Sequence, residues 1–209
     1  MFSFIYKFSY NLIWLFAQPV FGFFFHYQVE SKEDLKNLKG PLIIASDHGS
    51  WIDPFLISAA FPFLSKVFPI HYGCWHRYFY SPRFFPWILL VGAFPIKKGL
   101  DFDQSLKTPL RILKNKGVVA LFPEGRRKLG GRPRRARRGA AFLYYKTKAK
   151  ILPIKIEGNF HMSLKSFLLR KHHIKVSIGK AFSLPAQKIQ NLEELNKPSG
   201  LIMEKIRGL

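Results

Sequence analysis

His48 and Asp53 stand five residues apart in the segment Ser46-Asp47-His48-Gly49-Ser50-Trp51-Ile52-Asp53-Pro54. A carboxylate that holds one nitrogen of an imidazole leaves the other nitrogen to take a proton from a hydroxyl, which is the chemistry of a general base. On one continuous helix this spacing would turn the two side chains to different faces. They meet only where a loop turns into a helix, and Gly49 and Pro54 suit such a turn. The alternative is structural, with Asp53 capping the helix and His48 a loop residue. No Gly-x-Ser-x-Gly elbow accompanies the pair, and Ser50 has no evident orientation toward His48. Attack by a substrate hydroxyl is therefore simpler than a covalent enzyme intermediate.

Two further clusters could hold an anion. In Leu121-Phe122-Pro123-Glu124-Gly125-Arg126-Arg127 a strand-like run ends in a glycine turn with two arginines, whose planar forks suit phosphate. Glu124 would orient an arginine or receive a substrate hydroxyl; a solvated basic loop with Glu124 as its counter-charge is the plainer alternative. In Gly92-Ala93-Phe94-Pro95-Ile96-Lys97-Lys98-Gly99 either lysine could add a second phosphate contact, or both are simply exposed. His71, Cys74 and His76 would suit a metal-dependent hydrolase, but they lack a fourth ligand and a standard spacing, so no metal is expected.

The elements that must position these residues follow from alternating apolar runs. Strands are expected at 42–45, 67–72, 93–96, 118–122, 151–156 and 174–178. Helices are expected at 54–60, 83–91, 103–115, 140–148 and 192–206, with Pro109, Pro198 and Gly200 weakening the last-named regions. This alternation predicts an α/β protein: a single domain over 28–209 with a central mixed, largely parallel sheet flanked by helices. Both principal clusters then fall where a strand ends, the usual place for a site in such a sheet.

Residues 1–27 hold twelve aromatics and one charged residue, Lys7. The uncharged run from Phe8 to Phe25 would be about 27 Å long as a helix, just short of a comfortable bilayer crossing. Pro19 is expected to split it into two shorter helices, which suits an interfacial anchor. Deleting the segment is expected to release the chain from liposomes more than it impairs the fold. A secretory signal fits less well, since there is no basic leading cluster and no small-residue cleavage pattern.

The whole chain of 209 residues carries 34 Lys plus Arg against 12 Asp plus Glu, a formal net charge of +22, with 48% hydrophobic residues. That much apolar material excludes ordinary disorder, while the charge calls for an anionic partner, nucleic acid or an acidic membrane. Arg126 to Arg138 concentrates eight cations in thirteen residues. One cysteine, Cys74, excludes an internal disulfide framework.

Taken in order, the blocks resemble the 1-acylglycerol-3-phosphate acyltransferase family. Its His, four residues, Asp motif is matched by His48 to Asp53, its glycine-to-basic block by Gly92 to Lys98, and its Phe-Pro-Glu-Gly-Thr-Arg block by Phe122 to Arg127. Arg137-Arg138-Gly139-Ala140-Ala141-Phe142 and Leu152-Pro153-Ile154 echo two later blocks, so the resemblance spans about residues 40 to 160. The family's arginine in the second block is Lys98 here, and its threonine in the third is Arg126.

The resemblance implies transfer of a fatty acyl group from a thioester, on coenzyme A or acyl carrier protein, to the free hydroxyl of lysophosphatidate. His48 and Asp53 would be catalytic, and Lys98, Glu124, Gly125, Arg126 and Arg127 would form the substrate-binding set. No cofactor is implied beyond the thioester co-substrate. The aromatic segment and the basic loop would hold the chain as a monotopic protein on an acidic, cytoplasmic membrane face, with no nucleic-acid partner. A non-enzymatic binder of acidic membranes or nucleic acid accounts for the arginine loop, but gives His48 and Glu124 nothing to do.

Overall fold

A computed structural model of the chain describes residues 2–83, 88, 90–97, 101–127, 135–159, 170 and 172–209. Leu42-Ile43-Ile44-Ala45-Ser46 forms strand β2 (Leu42–Ser46), buried along its whole length on both pleat faces. Such a run fits only the middle of a sheet covered on both sides. Around it lie β1 (Gln28–Ser31), β3 (Ile70–Trp75), β4 (Phe94–Ile96), β5 (Val118–Leu121), β6 (Lys150–Glu157) and β7 (Lys175–Ile178), in the order β1-β7-β6-β2-β5-β3-β4. From β6 to β4 all neighbours are parallel; β7 runs antiparallel to β6 and parallel to β1. The carboxyl ends of β6, β2, β5, β3 and β4 therefore reach one edge, and the loops that follow them share it.

Alternation along β2 divides the core into two layers. Leu42 and Ile44 pack with helix α1 (Phe2–Phe25) and helix α2 (Asp53–Ala59) through Tyr10, Phe25, Leu56 and Ile57. Ile43 and Ala45 face helices α5 (Lys107–Lys114), α6 (Gly139–Thr147) and α7 (Asn196–Arg207) through Leu113, Ala141, Leu143 and Ile202. Short helices α3 (His76–Phe79) and α4 (Phe102–Ser105) lie between α2 and α5 in the chain, and a 3-10 turn (Glu193–Leu195) leads into α7.

Several elements depart from the sequence reading for local reasons. α1 is one helix and is not split at Pro19. An interior proline costs about 3 kcal/mol, but α1 is held on both sides of it. Trp14 Nε1 donates to Phe61 O at 2.7 Å, Gln18 Nε2 donates to Ala59 O, and Ile174 N donates to Phe25 O at 3.0 Å. The expected helix at 103–115 breaks at Leu106, which puts Pro109 in the first turn of α5. Pro198 likewise stands in the first turn of α7, where a missing N–H costs no intrahelical bond. β3 begins after Pro69, whose nitrogen has no hydrogen to give a ladder, and runs on to Trp75 beside β4. β1 escaped the sequence reading because all four of its residues are exposed, so no apolar alternation marks it. The helix expected at 83–91 falls mostly outside the described residues.

α1 has two apolar sides. Tyr10, Trp14, Phe21 and Phe25 face the core, and the buried Tyr10 hydroxyl lies 2.7 Å from Val91 O and also touches Ile70 O. Leu12, Leu15, Phe16, Val20 and Phe23 lie exposed on the other side. The inner side belongs to the same core as the sheet, which ties α1 to the fold more closely than its expected role as a detachable anchor requires. No helix among the described residues is long and apolar enough to cross a membrane. Tyr10→Ala should lower stability by about 3–5 kcal/mol, whereas Phe16→Ala, at a side chain 64% exposed, should leave the thermal melt within about a degree of the parent. Melting curves of the two variants in detergent check this contrast.

Candidate active site

β2 delivers Asp47 and His48 at its carboxyl end, and the chain turns through Gly49 to Trp51 before α2 begins at Asp53. The turn brings the expected pair together: His48 Nδ1 lies 2.7 Å from Asp53 Oδ2. Asp53 is wholly buried, and its Oδ2 also accepts the backbone N–H groups of Gly49 at 2.8 Å and Ser50 at 3.0 Å. These donations leave Asp53 as an acceptor, so the proton of the shared bond belongs on His48 Nδ1 and Nε2 is the basic nitrogen. The carboxylate thus serves the turn that precedes its own helix, in place of the capping role that was the structural alternative.

Phe122, the first residue after β5, fixes the plane of the imidazole. Its ring stacks on His48 with centroids 4.1 Å apart and planes 16° from parallel. β5 adjoins β2 in parallel register, with Ala45 opposite Leu121, so the two loops leave the sheet side by side. Pro123, Glu124 and Gly125 follow as a tight turn, in which Gly125 has φ +67°, a conformation that suits a residue without a side chain. A Cβ on Gly125 would also stand 2.6 Å from Arg137 Nε, so the missing side chain is the space that Arg137 occupies.

His48 opens on a cleft of about 1200 Å³. Its lining includes apolar and aromatic side chains from Phe55, Ile88, Ile96, Phe102 and Leu106 as well as Glu124, Arg126, Arg127, Arg135, Arg137 and Arg138. Among the expected binding residues, Glu124 is buried, Gly125 and Arg126 are exposed, and Arg127 is half-buried. The Arg127 guanidinium lies over the Trp51 ring, 4.4 Å from its centroid, and Trp51 in turn meets the edge of Tyr78. This stack holds a flat cation in the cleft's lining without consuming its in-plane donors. Lys98 lies outside the described residues; its neighbour Lys97 lines the cleft.

Comparison with known proteins bears directly on this arrangement. A family model described as Acyltransferase matches residues 26–157, which contain His48, Asp53 and the cleft's glutamate-arginine turn. The chain belongs to the acyltransferase family. It is 28% identical over 153 residues to the 1-acyl-sn-glycerol-3-phosphate acyltransferase of Bacillus subtilis (strain 168), covering 73% of this chain and 72% of that one. It is 25% identical over 191 residues to the Streptococcus pneumoniae (strain ATCC BAA-255 / R6) protein of the same name, covering 88% of this chain and 65% of that one. A crystal structure of the 1-acyl-sn-glycerophosphate (LPA) acyltransferase PlsC from Thermotoga maritima superposes with TM-score 0.66 at 20% identity, covering 95% of this chain and 77% of that one. At that identity the likeness establishes the α/β fold.

Two contacts of this acyltransferase's site were not read from its sequence. The stacking of Phe122 on His48 depends on two strands being neighbours, which no local pattern shows. Asn159, just beyond β6, donates from Nδ2 to Asp53 Oδ1 at 2.8 Å across 106 positions of chain. No spacing rule reaches that far; the only signal was a polar residue at the end of an apolar strand.

The cysteine and histidines of β3 have other surroundings. His71 Nδ1 lies 3.1 Å from Gly92 O, and burial holds its imidazole below the usual range. Among the described residues no three His, Cys, Asp or Glu side chains gather as a metal site would need. Cys74 lines the cleft, but burial pushes its thiol up to about 11. At pH 8 its thiolate fraction should be about 100-fold below that of an unshifted thiol. Alkylation by iodoacetamide at pH 8 should be slower than that of a model peptide by about that factor, and Cys74→Ala should retain activity; labelling at the peptide's rate would contradict this.

Proposed function

We propose that this acyltransferase moves a fatty acyl group from an acyl thioester, on coenzyme A or acyl carrier protein, to the free hydroxyl of lysophosphatidate, giving phosphatidate. The observation that carries the reading is the buried Asp53 on His48 Nδ1 at 2.7 Å, with His48 lining a cleft that apolar and aromatic side chains share with arginines. The names of the Bacillus and Streptococcus relatives support the same acceptor.

In the proposed reaction His48 Nε2 takes the acceptor's hydroxyl proton as the oxygen attacks the thioester carbonyl. The tetrahedral intermediate collapses with cleavage of the C–S bond, and the imidazolium returns the proton to the departing thiolate. Asp53 stabilises the positive charge on the imidazole while it lasts. Arg127, held flat on Trp51, would take the acceptor phosphate in its fork, with Arg126 and Lys98 adding charge. Glu124 and the Gly125 turn would set the shape of that anion site. The apolar walls of the cleft suit an alkyl chain.

The exposed side of α1 supports attachment to one leaflet. Five large apolar side chains on one stripe of a helix that does not cross the bilayer match an interfacial anchor, and the chain's excess of cations favours an acidic, cytoplasmic surface. Phe16→Glu should weaken sedimentation with acidic liposomes while leaving the melt unchanged; full retention on the vesicles would remove α1 from the anchor.

The reaction is tested by following a labelled acyl group from each thioester into lysophosphatidate in mixed micelles. His48→Ala should reduce turnover by about 10²- to 10⁴-fold. Arg127→Ala should act mainly by raising KM for the acceptor. Turnover unaffected by His48→Ala would refute the mechanism, and failure of both thioesters with a folded, lipid-bound enzyme would refute the acceptor assignment.

A further inference from the structure

Asp53 is a carboxylate shut away from water, and its two oxygens are served very differently. Oδ2 receives His48 Nδ1, Gly49 N and Ser50 N, all from the loop that the carboxylate itself organises. Oδ1 receives Asn159 Nδ2 at 2.8 Å, from the far end of β6. Because the carboxylate only accepts, the amide edge turned toward it must be the NH₂.

The chain makes room for this amide at two glycines. Gly158, at φ +81°, turns the backbone sharply just before Asn159, and a Cβ there would stand 1.8 Å from His173 O. Gly49 lies against the amide itself, where a Cβ would sit 2.6 Å from Asn159 Oδ1 and 2.7 Å from Nδ2. Asn159 is 1% exposed, yet its Oδ1 has no hydrogen-bond partner among the described residues. A buried amide with one half unsatisfied is a costly way to fill space. The half that is satisfied points at the carboxylate of the catalytic pair.

We propose that Asn159 is a positioning residue for the acyl transfer: by holding Asp53 Oδ1 it fixes the carboxylate plane so that Oδ2 meets His48 Nδ1 in line. This rests on the His48 mechanism proposed above. Asn159 does not line the cleft, so it acts on the rate through Asp53 and not through substrate affinity. Without the donor, Asp53 keeps its charge with one oxygen bare, its hold on a proton strengthens, and the pair gives up its proton at higher pH. The other ionisable groups nearby are Asp47, Tyr72 and Glu124. Asp47 Oδ1 accepts Ile156 N at 2.8 Å, and Glu124 is buried at the cleft. The Tyr72 phenol is pushed far up by burial, with the charge of Asp53 adding to it. None of these bonds to Oδ1, whose donor among the described residues is Asn159 Nδ2.

The test compares Asn159→Ala with Asn159→Leu in the micelle assay, each with its melting curve and a pH profile of kcat. Leucine is close to asparagine in size but offers no donor, so it keeps most of the packing against Gly49 and carries the test if the alanine variant does not fold. Both variants should lose about tenfold or more in kcat with KM for the acceptor within about twofold. The acidic limb should move to higher pH in both. A parental kcat and pH profile in Asn159→Leu, or a lowered melt with kinetics otherwise unchanged, overturns the proposal. His48→Ala is run beside them: loss there with no change at Asn159 overturns this inference alone, and an enzyme whose turnover ignores His48 overturns the reading beneath it.

Discussion

A carboxylate taken wholly out of water has to be surrounded by donors, and Asp53 is such a group. Its donors come from two strand ends. The loop after β2 supplies an imidazole and two backbone N–H groups, and the residue after Gly158 at the end of β6 supplies an amide. That combination requires β6 beside β2 and parallel to it, which is how the sheet is ordered, with Ser46 opposite Ile154. Asp47 reinforces the junction by accepting the N–H of Ile156. Strand order is therefore part of the His48–Asp53 geometry: reversing β6 would carry Asn159 to the opposite edge and leave the carboxylate short of a donor.

The neighbour on the other side of β2 has a different task. β5 is followed at once by Phe122, which sets the imidazole plane, and five residues later by Arg127, which rests on Trp51 from the first loop. The two loops are interleaved, each holding a residue of the other. In the proposed reaction this fixes the distance between base and anion site, so that positioning, as well as proton transfer, is built into the same pair of turns.

What the sequence revealed and what it hid divide along contact range. His48 and Asp53 were legible because both lie in one loop-to-helix turn, and the glutamate-arginine turn was legible because it follows an apolar strand. The buried strands were visible from their composition. Contacts that need the sheet to be assembled, Phe122 on His48 and Asn159 on Asp53, leave no trace in local spacing. The cost of proline depends on its position: Pro109 and Pro198 sit in first turns where they cost little, while Pro19 is carried inside a helix whose side chains are bonded to Ala59 at the end of α2 and to Phe61 beyond it. The exposed strand β1 had no pattern to read, since its place is secured by backbone pairing with β7.

α1 is bonded through Trp14 and Gln18 to Phe61 and Ala59, and α2 runs from there to Asp53, a helix of seven residues and about 10 Å. Mounted in this way, the enzyme has a short, helical connection between the stripe that would rest in lipid and the proposed base. A leash lets a domain sample many heights and attitudes, and most encounters with a substrate are then wasted. On the proposed attachment, a rigid mount would present the cleft to the leaflet at one stand-off and one tilt, so that lateral diffusion of lipids in the membrane plane becomes the search, and the orientational part of the encounter entropy is met once, on docking. The depth at which an acceptor hydroxyl is met would then follow from the length of one short helix.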